Sequence, residues 1–517
     1  MIEPVIFVGP PGTGKTTTLL DTVDQEMENG IPPDLIGFMT FTKRGVEEAV
    51  SRASDRFHMP RGRFKYFNTL HSAAFRQLGL KTDQVFTGKK VKEFGEEYGY
   101  ELHDSLSSDD GTYTNFFGDD VVLFLENYAR ITRQPLDYVL VQNAFAIPDY
   151  QRAQKIIKEF KQFKYKQNLM DFTDMIEEFV KMEDPPHLEV LIVDEAQDLS
   201  ELQWMMVDQL AKYVKRMYIA GDDDQTIFTW AGASTRFISL PGSARVLQQS
   251  YRVPITVHRL ANRVISKIDN RREKLWLPRQ AEGSHNVIEG ISQLDPNTLQ
   301  SNGSVMMLGR TVKSLRQKFI PYCRAHGILY RYFEANSIKP TYARAISSWN
   351  NLREGMSIPA EDALKIYNLL PGETSKKKPG VAYGNKTKLR RLAEQRDPPD
   401  ITLQELKKDY GLLVDGTWQQ VFVEIEERDV EYIKKVLNNG YSLHQTPQIH
   451  ISTIHRVKGG QADKVVLLSD TARAAEKFGV GNRDEETRVF YTGITRTFED
   501  LIVVHPDKKY HFERLFE

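Results

Sequence analysis

The run GPPGTGKT (9–16) constrains this chain more than any other stretch. It matches the pattern G-x-x-x-x-G-K-[ST], follows a short apolar strand at PVIFVG (4–9) and precedes a helix-forming segment. Glycines let backbone N–H groups approach phosphate oxygens, and the N-terminus of the following helix adds a favourable dipole. The strand–loop–helix context favours a phosphate loop over a chance match, with Lys15 reaching the β- and γ-phosphates and Thr16 ligating Mg²⁺.

Strand-like segments recur along the rest of the chain. They are short, apolar and rich in β-branched residues, and helix-forming stretches separate them. The segments are LIGFMTFT (35–42), LEVLIVDEAQ (188–197), RMYIAGD (216–222), SVMMLGR (304–310), IHISTIH (449–455), KVVLLSD (464–470) and LIVVHP (501–506). Such alternation predicts the α/β class, with parallel sheets covered by helices on both faces.

Composition bounds the possibilities further. At ~100–200 residues per domain, 517 residues indicate three or four units. The single cysteine, Cys323, excludes an internal disulfide framework and fits a reducing, intracellular setting. No basic leader opens the chain, and no apolar stretch approaches the ~18 residues that span a bilayer, so we expect neither a signal peptide nor a membrane partner. With 69 basic and 70 acidic residues, any basic footprint for nucleic acid must be local.

A phosphate loop needs a second carboxylate to hold the metal. LIVDEAQD (191–198) supplies two acids at the end of an apolar strand. We expect Asp194 to reach Mg²⁺ through water and Glu195 to orient or deprotonate the attacking water. The alternative is an ordinary acidic turn after a strand.

Seven short motifs follow one another along the chain. They are GPPGTGKTT, TFTKRG, DEAQD, GDDDQTIFTWAGA, QQSYR, ISTIHRVKG and FYTGITRT. The series resembles that of superfamily 1 helicases of the UvrD/Rep type. It covers roughly residues 4–75, 165–335 and 446–506, and it is far more specific than the phosphate loop alone, which many ATPases share.

The resemblance implies two RecA-like domains, with ATP between them and single-stranded DNA across their top. The first would comprise 1–84 and 166–250, and the second 251–335 and 446–517. A helical insertion would occupy 85–165, and a basic insertion with possible duplex contact 336–445. The expected nucleotide-binding residues are Gly12, Thr13, Gly14, Lys15, Thr16, Thr17 and Tyr251.

Two arginines complete the expected catalytic set. By resemblance, Tyr251 stacks on adenine, Arg252 touches the γ-phosphate and Arg496 is the arginine finger that neutralises charge during phosphoryl transfer. A surface ion pair is the alternative for either arginine. Relatives usually carry a glutamine-bearing segment before the loop and an acid where Gln461 stands. We therefore expect looser base selectivity and no carboxylate contact to the ribose at that position.

The segment GDDDQTIFTWAG (221–232) raises its own question, because three adjacent acids precede a tryptophan. On the family reading, Asp222 ends a strand beside the metal site, where acids tolerate crowding near a cation. Gln225 can bridge the γ-phosphate and water with its donor and acceptor. Trp230 can stack on a DNA base, with a core position as the alternative. We expect at least one of Asp223 and Asp224 to be a solvated turn acid.

Further DNA contacts are expected from loops at the tops of the sheets. Phe41, Thr42 and Lys43 offer a stacking face, a hydroxyl and a phosphate partner. The remaining candidates are Thr69 and His71 at a strand-to-helix turn, and Thr453 and His455 in the second domain. A satisfied structural group is the alternative for either histidine.

The second insertion carries a local basic patch, which binds duplex phosphates or forms a flexible, solvated loop. Its residues are Lys376, Lys377, Lys378, Lys386, Lys388, Arg390 and Arg391. The combined prediction is an ATP- and Mg²⁺-dependent 3′→5′ DNA helicase and translocase that acts on single-stranded DNA and strand junctions. It would be cytoplasmic, DNA-associated and monomeric, from a bacterial or phage-infected cell.

Two alternatives stay open. One is a translocase that displaces proteins from DNA with little unwinding. The other is a nucleotide-switched DNA-binding protein, against which Glu195 and Arg496 argue, because a pure switch does not need both. The pathway is not predicted: repair, replication, recombination and plasmid or phage propagation all use such motors.

Overall fold

The computed structural model describes residues 2–40, 43–102, 118–147, 149–300, 303–371, 380–471 and 483–505, without the side chains of 43 and 44. Phe41, Thr42, the Lys43 side chain and Lys376 to Lys378 therefore lie outside the described residues. Among the helices that are described, none combines the length and apolar character required to cross a bilayer.

The strands are short and mostly buried. In chain order they are β1 Val5–Val8, β2 Ile36–Thr40, β3 Phe67–Thr69, β4 Val190–Val193, β5 Arg216–Gly221, β6 Ser243–Val246, β7 Ser284–Glu289, β8 Val305–Gly309, β9 Tyr330–Tyr332, β10 Ala335–Asn336, β11 Ile358–Pro359, β12 Asp400–Ile401, β13 Ile449–Thr453, β14 Ala462–Leu468 and β15 Thr497–His505. All eight strands expected from the sequence are present.

The helices follow the strands in the alternation that the sequence predicts. They are α1 Lys15–Glu28, α2 Lys43–Phe57, α3 Leu70–Gln77, α4 Lys89–Tyr98, α5 Asp120–Ile131, α6 Leu136–Gln142, α7 Tyr150–Lys166, α8 Phe172–Val180, α9 Glu201–Leu210, α10 Arg236–Ser239, α11 Ile255–Ile265, α12 Pro296–Gln300, α13 Val312–Ser314, α14 Ile320–Ala325, α15 Pro340–Arg353, α16 Ala360–Asn368, α17 Asn385–Ala393, α18 Leu403–Lys408, α19 Trp418–Val421, α20 Glu427–Asn438 and α21 Arg483–Ile494.

The first sheet has six strands in the order β3-β2-β4-β5-β1-β6, and the pairings are parallel. A second sheet has the order β10-β9-β13-β8-β14-β15-β7, in which β14 pairs with β15 and β13 with β9 in parallel. The α/β class with RecA-like parallel sheets is thereby confirmed. Because β1, β4 and β5 are neighbours, the phosphate loop, the acids after β4 and the segment after β5 leave the sheet at one edge.

Alternate residues of the first sheet bury on opposite faces. Ile6 and Val8 of β1 pack with α3, α8 and α9, whereas Phe7 packs with α1 and α2. This period of two explains why the strands read as continuous apolar runs, since both faces are covered. Burying both faces fixes the register of the strands and therefore the positions of the loops that follow them.

The chain forms two compact units. One runs from the first strand to Val287 and includes Gly309–Val312 and the chain from Thr453 onward; the other comprises Ile288–Leu308 and Lys313–Ser452. Within the first unit, helices α4 to α7 enclose a core of their own that is rich in phenylalanine. The bounds given above for the two domains and the two insertions stay a prediction.

Gly232 offers a test of how residues 221–232 are anchored. Its φ of +90° is left-handed, and a Cβ there would lie 2.9 Å from Ile131 Cδ1 and 3.1 Å from Thr132 Cγ2, at the end of α5. Gly30 has a φ of +89° but nothing within 4 Å of its Cβ position. Gly30→Ala should therefore cost only the backbone strain, about 1–2 kcal/mol of unfolding free energy.

Gly232→Ala should cost about 1–3 kcal/mol more than this control, because the added methyl overpacks the contact with α5. Urea unfolding of both variants measures the difference. Equal losses would show that the contact with α5 does not constrain the segment.

Candidate active site

The phosphate loop begins where β1 ends. Gly9 N donates to Gly221 O at 2.9 Å, which joins the loop to the end of β5. Gly12 and Gly14 have φ values of +73° and +81°. A Cβ on Gly12 would lie 2.4 Å from Arg252 Cβ, so only glycine lets this loop approach Arg252.

The loop lysine and threonine face the two predicted acids. Lys15 Nζ donates to Gly9 O at 3.0 Å and lies 3.7 Å from Glu195 Oε1. Thr16 Oγ1 donates to Asp194 Oδ2 at 3.1 Å. A hydroxyl and a carboxylate that converge in this way are oxygen ligands of the kind that Mg²⁺ prefers, so the residues present fit that ion.

The surroundings of Asp194 and Glu195 shift their pKa values in opposite directions. Burial, reinforced by the charge of Glu195, raises the pKa of Asp194 to about 6. Burial also opposes ionisation of Glu195, but Lys15, Lys458 and a hydrogen bond from Gln197 outweigh it and lower the pKa of Glu195 to about 2. Glu195 has a left-handed φ of 52°, a conformation that places its side chain off the end of β4 at some cost in strain.

Lys458 links the acids to the segment after β5. Its Nζ forms an ion pair with Asp198 and donates to Gln225 O at 2.8 Å. Burial raises the pKa of Asp198 to about 7, against the opposing charge of Lys458. The motif DEAQD and the motif around Lys458 are therefore joined through one ammonium group.

Arg496 is buried and Arg252 is half-buried, and both donate to neutral partners. Arg252 Nε donates to Gln461 Oε1 at 2.9 Å. Arg496 donates to Gln225 Oε1 at 2.7 Å and to Gly460 O at 3.2 Å. Burial lowers the pKa of Arg252 to about 10 and that of Arg496 to about 9, and the two guanidinium groups repel each other. The alternative of a surface ion pair is wrong for Arg496, which is buried against an amide and a carbonyl, and Arg252 bonds an amide oxygen.

These groups line a cavity of about 400 Å³. The loop residues Gly12 to Thr17 form one wall, and Asp194, Glu195, Gln225 and both arginines line it as well. Tyr251 also lines the cavity, with 70 % of its surface exposed and its N–H on Gly12 O at 2.8 Å. The predicted catalytic, metal and nucleotide residues thus meet in one place.

The acid triplet is not solvated. Asp222, Asp223 and Asp224 are fully buried, so the expectation that Asp223 or Asp224 is a solvated turn acid is wrong. Lys274 Nζ lies 2.9, 2.5 and 3.2 Å from carboxylate oxygens of the three in turn. Arg271 donates two hydrogen bonds to Asp224. The crowding is tolerated because protein cations compensate it.

Trp230 lies half-buried at the other end of the segment, not in the core. Its ring meets the His455 ring edge-on at 6.2 Å, and Phe228 meets the same histidine at 5.9 Å. Burial, together with the charge of Arg310, lowers the pKa of His455 well below its usual value, so the imidazole is neutral. His455 also lines the nucleotide cavity and therefore touches both parts of the site.

The other described residues that were predicted to contact DNA are buried or half-buried. Thr69 caps α3, because its hydroxyl accepts from Ser72 N, and His71 packs against Phe172. Thr453 is buried at the end of β13. The roles of these residues in binding DNA stay predictions.

Sequence reasoning missed Lys274, Arg271, Arg488 and the partners Gln197 and Asp198. Three adjacent acids signal that compensating cations exist. However, Lys274 lies about fifty residues downstream, and no local pattern distinguishes it from surface lysines. Gln197 and Asp198 stood within a recognised motif, where a search for buried hydrogen-bond partners would have found them.

Family comparisons agree with this geometry. The model described as UvrD/REP helicase N-terminal domain matches residues 2–241, and the model described as UvrD-like helicase C-terminal domain matches 448–504. Together they cover more than half of the chain. The chain belongs to the UvrD/Rep helicase family. The matched ranges hold the phosphate loop, the acids after β4, the acid triplet and Arg496.

Named relatives of the UvrD/Rep type align along most of the chain. A probable DNA helicase II homolog of Rickettsia felis is 22 % identical over 98 % of this chain and 90 % of its own length. The putative ATP-dependent DNA helicase YjcD of Bacillus subtilis is 22 % identical over 97 % of this chain and 77 % of its own length. ATP-dependent DNA helicase PcrA of Bacillus subtilis is 26 % identical over 53 % of this chain and 39 % of its own length.

Arg496→Lys tests whether the buried guanidinium acts in the transition state. A lysine keeps the charge but loses the planar donors that reach Gln225 and Gly460. We expect kcat for ATP hydrolysis to fall by about 10³-fold, with KM changed only a few-fold.

The matched control is Arg236→Lys, which alters a guanidinium held by Asp208 away from the cavity. It should leave kcat near the wild-type value. Steady-state kinetics would contradict the assignment if both variants lost the same fraction of kcat.

Proposed function

We propose that the chain is a DNA-dependent ATPase that moves 3′→5′ on single-stranded DNA and unwinds duplex DNA at strand junctions. The observation that carries this proposal is the continuous path from the cavity to Trp230. Gln225 accepts from the buried Arg496, and Trp230, five residues later, packs against His455, which lines the same cavity. One rigid segment therefore has a nucleotide end and a stacking end.

The proposed mechanism of hydrolysis depends on which contacts of Lys15 the bound phosphates would replace. Lys15 rests on Gly9 O and near Glu195, both of which it would leave for the β- and γ-phosphates. Loss of that cation raises the pKa of Glu195, so the carboxylate becomes a better base toward the attacking water. Gln225 holds that water, while Arg252 and Arg496 neutralise charge on the transferred phosphoryl group.

The nucleotide substrate is ATP, and Thr16 and Asp194 are the residues that would hold Mg²⁺. When bound, the ion would neutralise phosphate charge. Ordinarily a buried carboxylate next to another carboxylate resists ionisation, as the raised pKa of Asp194 reflects. A divalent cation between Thr16 and Asp194 would remove that penalty.

The DNA end of the proposal rests on Trp230 and the loops around it. Aromatic faces bind single strands without sequence preference, because every base offers a π-face. Thr453 ends β13, and His455, two residues later, meets the Trp230 ring; these two residues would form the other side of the grip. Alternating grips at these two places would convert hydrolysis into movement along the strand.

The duplex contact is assigned to α17 of the second insertion. Lys386, Lys388, Arg390 and Arg391 lie on this helix. Exposed cations would bind phosphates with salt-dependent affinity. The setting proposed is the cytoplasm, with a monomer as the active species.

The main alternative is a translocase that displaces proteins from DNA with little unwinding. The insertions predicted at 85–165 and 336–445 favour it, because both look shorter than those of the large members of the family. Parallel assays separate the two: protein displacement from a single strand, and unwinding of a forked duplex under identical conditions. Displacement without unwinding would select the alternative.

Trp230→Ala tests the coupling. Loss of the stacking face should cost about 1–3 kcal/mol of strand affinity, so the DNA concentration for half-maximal stimulation of hydrolysis should rise by about 5- to 150-fold. Hydrolysis without DNA should change little, since the cavity is intact.

Trp230→Phe, which keeps a ring, should retain part of the stimulation. Tyr213→Ala removes a half-exposed aromatic that packs on His187, and it is the control for loss of surface aromatic area. Hydrolysis that is indifferent to DNA in the wild type would contradict the proposed function altogether.

A further inference from the structure

We propose that Lys274 is a positioning residue for ATP hydrolysis: it holds Asp222, and Asp222 fixes the orientation of the Gln225 amide toward Arg496. The inference rests on the proposed roles of Gln225 and Arg496, and it adds a residue that does not line the cavity. The chain of contacts runs from Lys274 to Asp222, from Asp222 to Gln225 and from Gln225 to Arg496.

The first link is a buried ion pair. The Lys274 side chain has no exposed surface, and its Nζ donates to Asp222 Oδ1 at 2.9 Å and to Asp223 Oδ1 at 2.5 Å. An ammonium group shared in this way compensates the charge of both carboxylates where solvent does not reach them. The backbone next to Lys274 is held to the same acids, because Arg272 N donates to Asp223 Oδ2 at 2.7 Å.

The second link sets the direction of an amide. Asp222 Oδ2 accepts from Gln225 Nε2 at 2.6 Å. With its NH₂ group on the carboxylate, the amide must present Oε1 on the other side. Arg496 Nη2 donates to that oxygen at 2.7 Å. An ionised Asp222 therefore decides which end of Gln225 faces the arginine and the cavity.

Removing the charge of Lys274 would release the orientation of the Gln225 amide. Asp222 and Asp223 would lose their shared cation, and Arg271 does not replace it, because its two hydrogen bonds go to Asp224. A buried carboxylate without a cation takes up a proton and becomes a donor. Gln225 could then turn its amide and present NH₂ to Arg496, so that two donors would face each other.

The two neighbouring arginines, Arg271 and Arg488, have different hydrogen-bond partners from Lys274. Arg488 of α21 donates to Asp223 O at 3.0 Å and to Asn270 O at 2.7 Å, so it bonds the backbone rather than the carboxylates. Arg271 reaches the far end of the triplet. Of these three cations, Lys274 is the one that bonds Asp222.

Lys274→Met tests the proposal, because it keeps the length of the side chain and removes the charge. We expect kcat for DNA-stimulated hydrolysis to fall by about 10- to 100-fold, as for a catalytic group displaced by about 1 Å. KM for ATP should change less than about three-fold, because the phosphate loop is untouched.

A double-mutant cycle with Gln225→Ala distinguishes an effect of Lys274 through Gln225 from a general destabilisation of the site. If Lys274 acts through Gln225, Lys274→Met should have little further effect on kcat in the Gln225→Ala background. Full additivity of the two losses would overturn the proposal. A Gln225→Ala variant with wild-type kcat would instead refute the proposed role of Gln225, whatever Lys274→Met does.

Three further variants distinguish a loss of positioning from a failure to fold. Lys274→Met combined with Asp223→Asn removes one charge of each sign, and it should fold while kcat stays low. Asp223→Asn alone keeps the Lys274–Asp222 pair and should retain most of the wild-type kcat. Arg271→Met should lower the melting temperature without the same loss of kcat. Wild-type kcat in the charge-balanced pair would overturn the proposal.

Discussion

The buried pairing of Lys274 with Asp222, Asp223 and Asp224 is the interaction on which the site depends. Three carboxylates without solvent would be prohibitively costly, so the segment after β5 can adopt its path only with cations beside it. Once neutralised, the segment carries Gln225 into the cavity and Trp230 out of it. Breaking such a buried pair leaves an uncompensated charge, whereas an exposed pair would have little influence.

The same segment gathers motifs that lie far apart in the sequence. Gln197 accepts from Asp222 N, Lys458 donates to Gln225 O and Arg496 donates to the Gln225 side chain. Each of these contacts joins a different motif to residues 221–232. The arrangement gives the acids and the tryptophan of this short stretch different roles: the acids anchor it, and we propose that the Trp230 ring at its far end binds a different ligand.

The sequence predicted the α/β class and the nucleotide residues well, for physical reasons. Strands buried on both faces read as continuous apolar runs, and a phosphate loop demands glycines and a lysine at fixed spacing. Strands β7 and β9 to β12 were missed, because they are short or partly exposed and carry no such run. Asp223 and Asp224 were misjudged, because compensation by Lys274 depends on a tertiary contact that no local pattern encodes.

The central claim is that nucleotide and DNA are coupled through residues 221–232. The most direct measurement is the affinity for a fluorescent single-stranded oligonucleotide with and without a non-hydrolysable ATP analogue, in the wild type and in Asp222→Asn. Coupling of binding sites is typically about 5- to 150-fold and acts equally in both directions. We expect a shift in that range for the wild type, the same factor when analogue affinity is measured with and without DNA, and loss of the shift in Asp222→Asn. A wild-type strand affinity that the analogue leaves unchanged would contradict it.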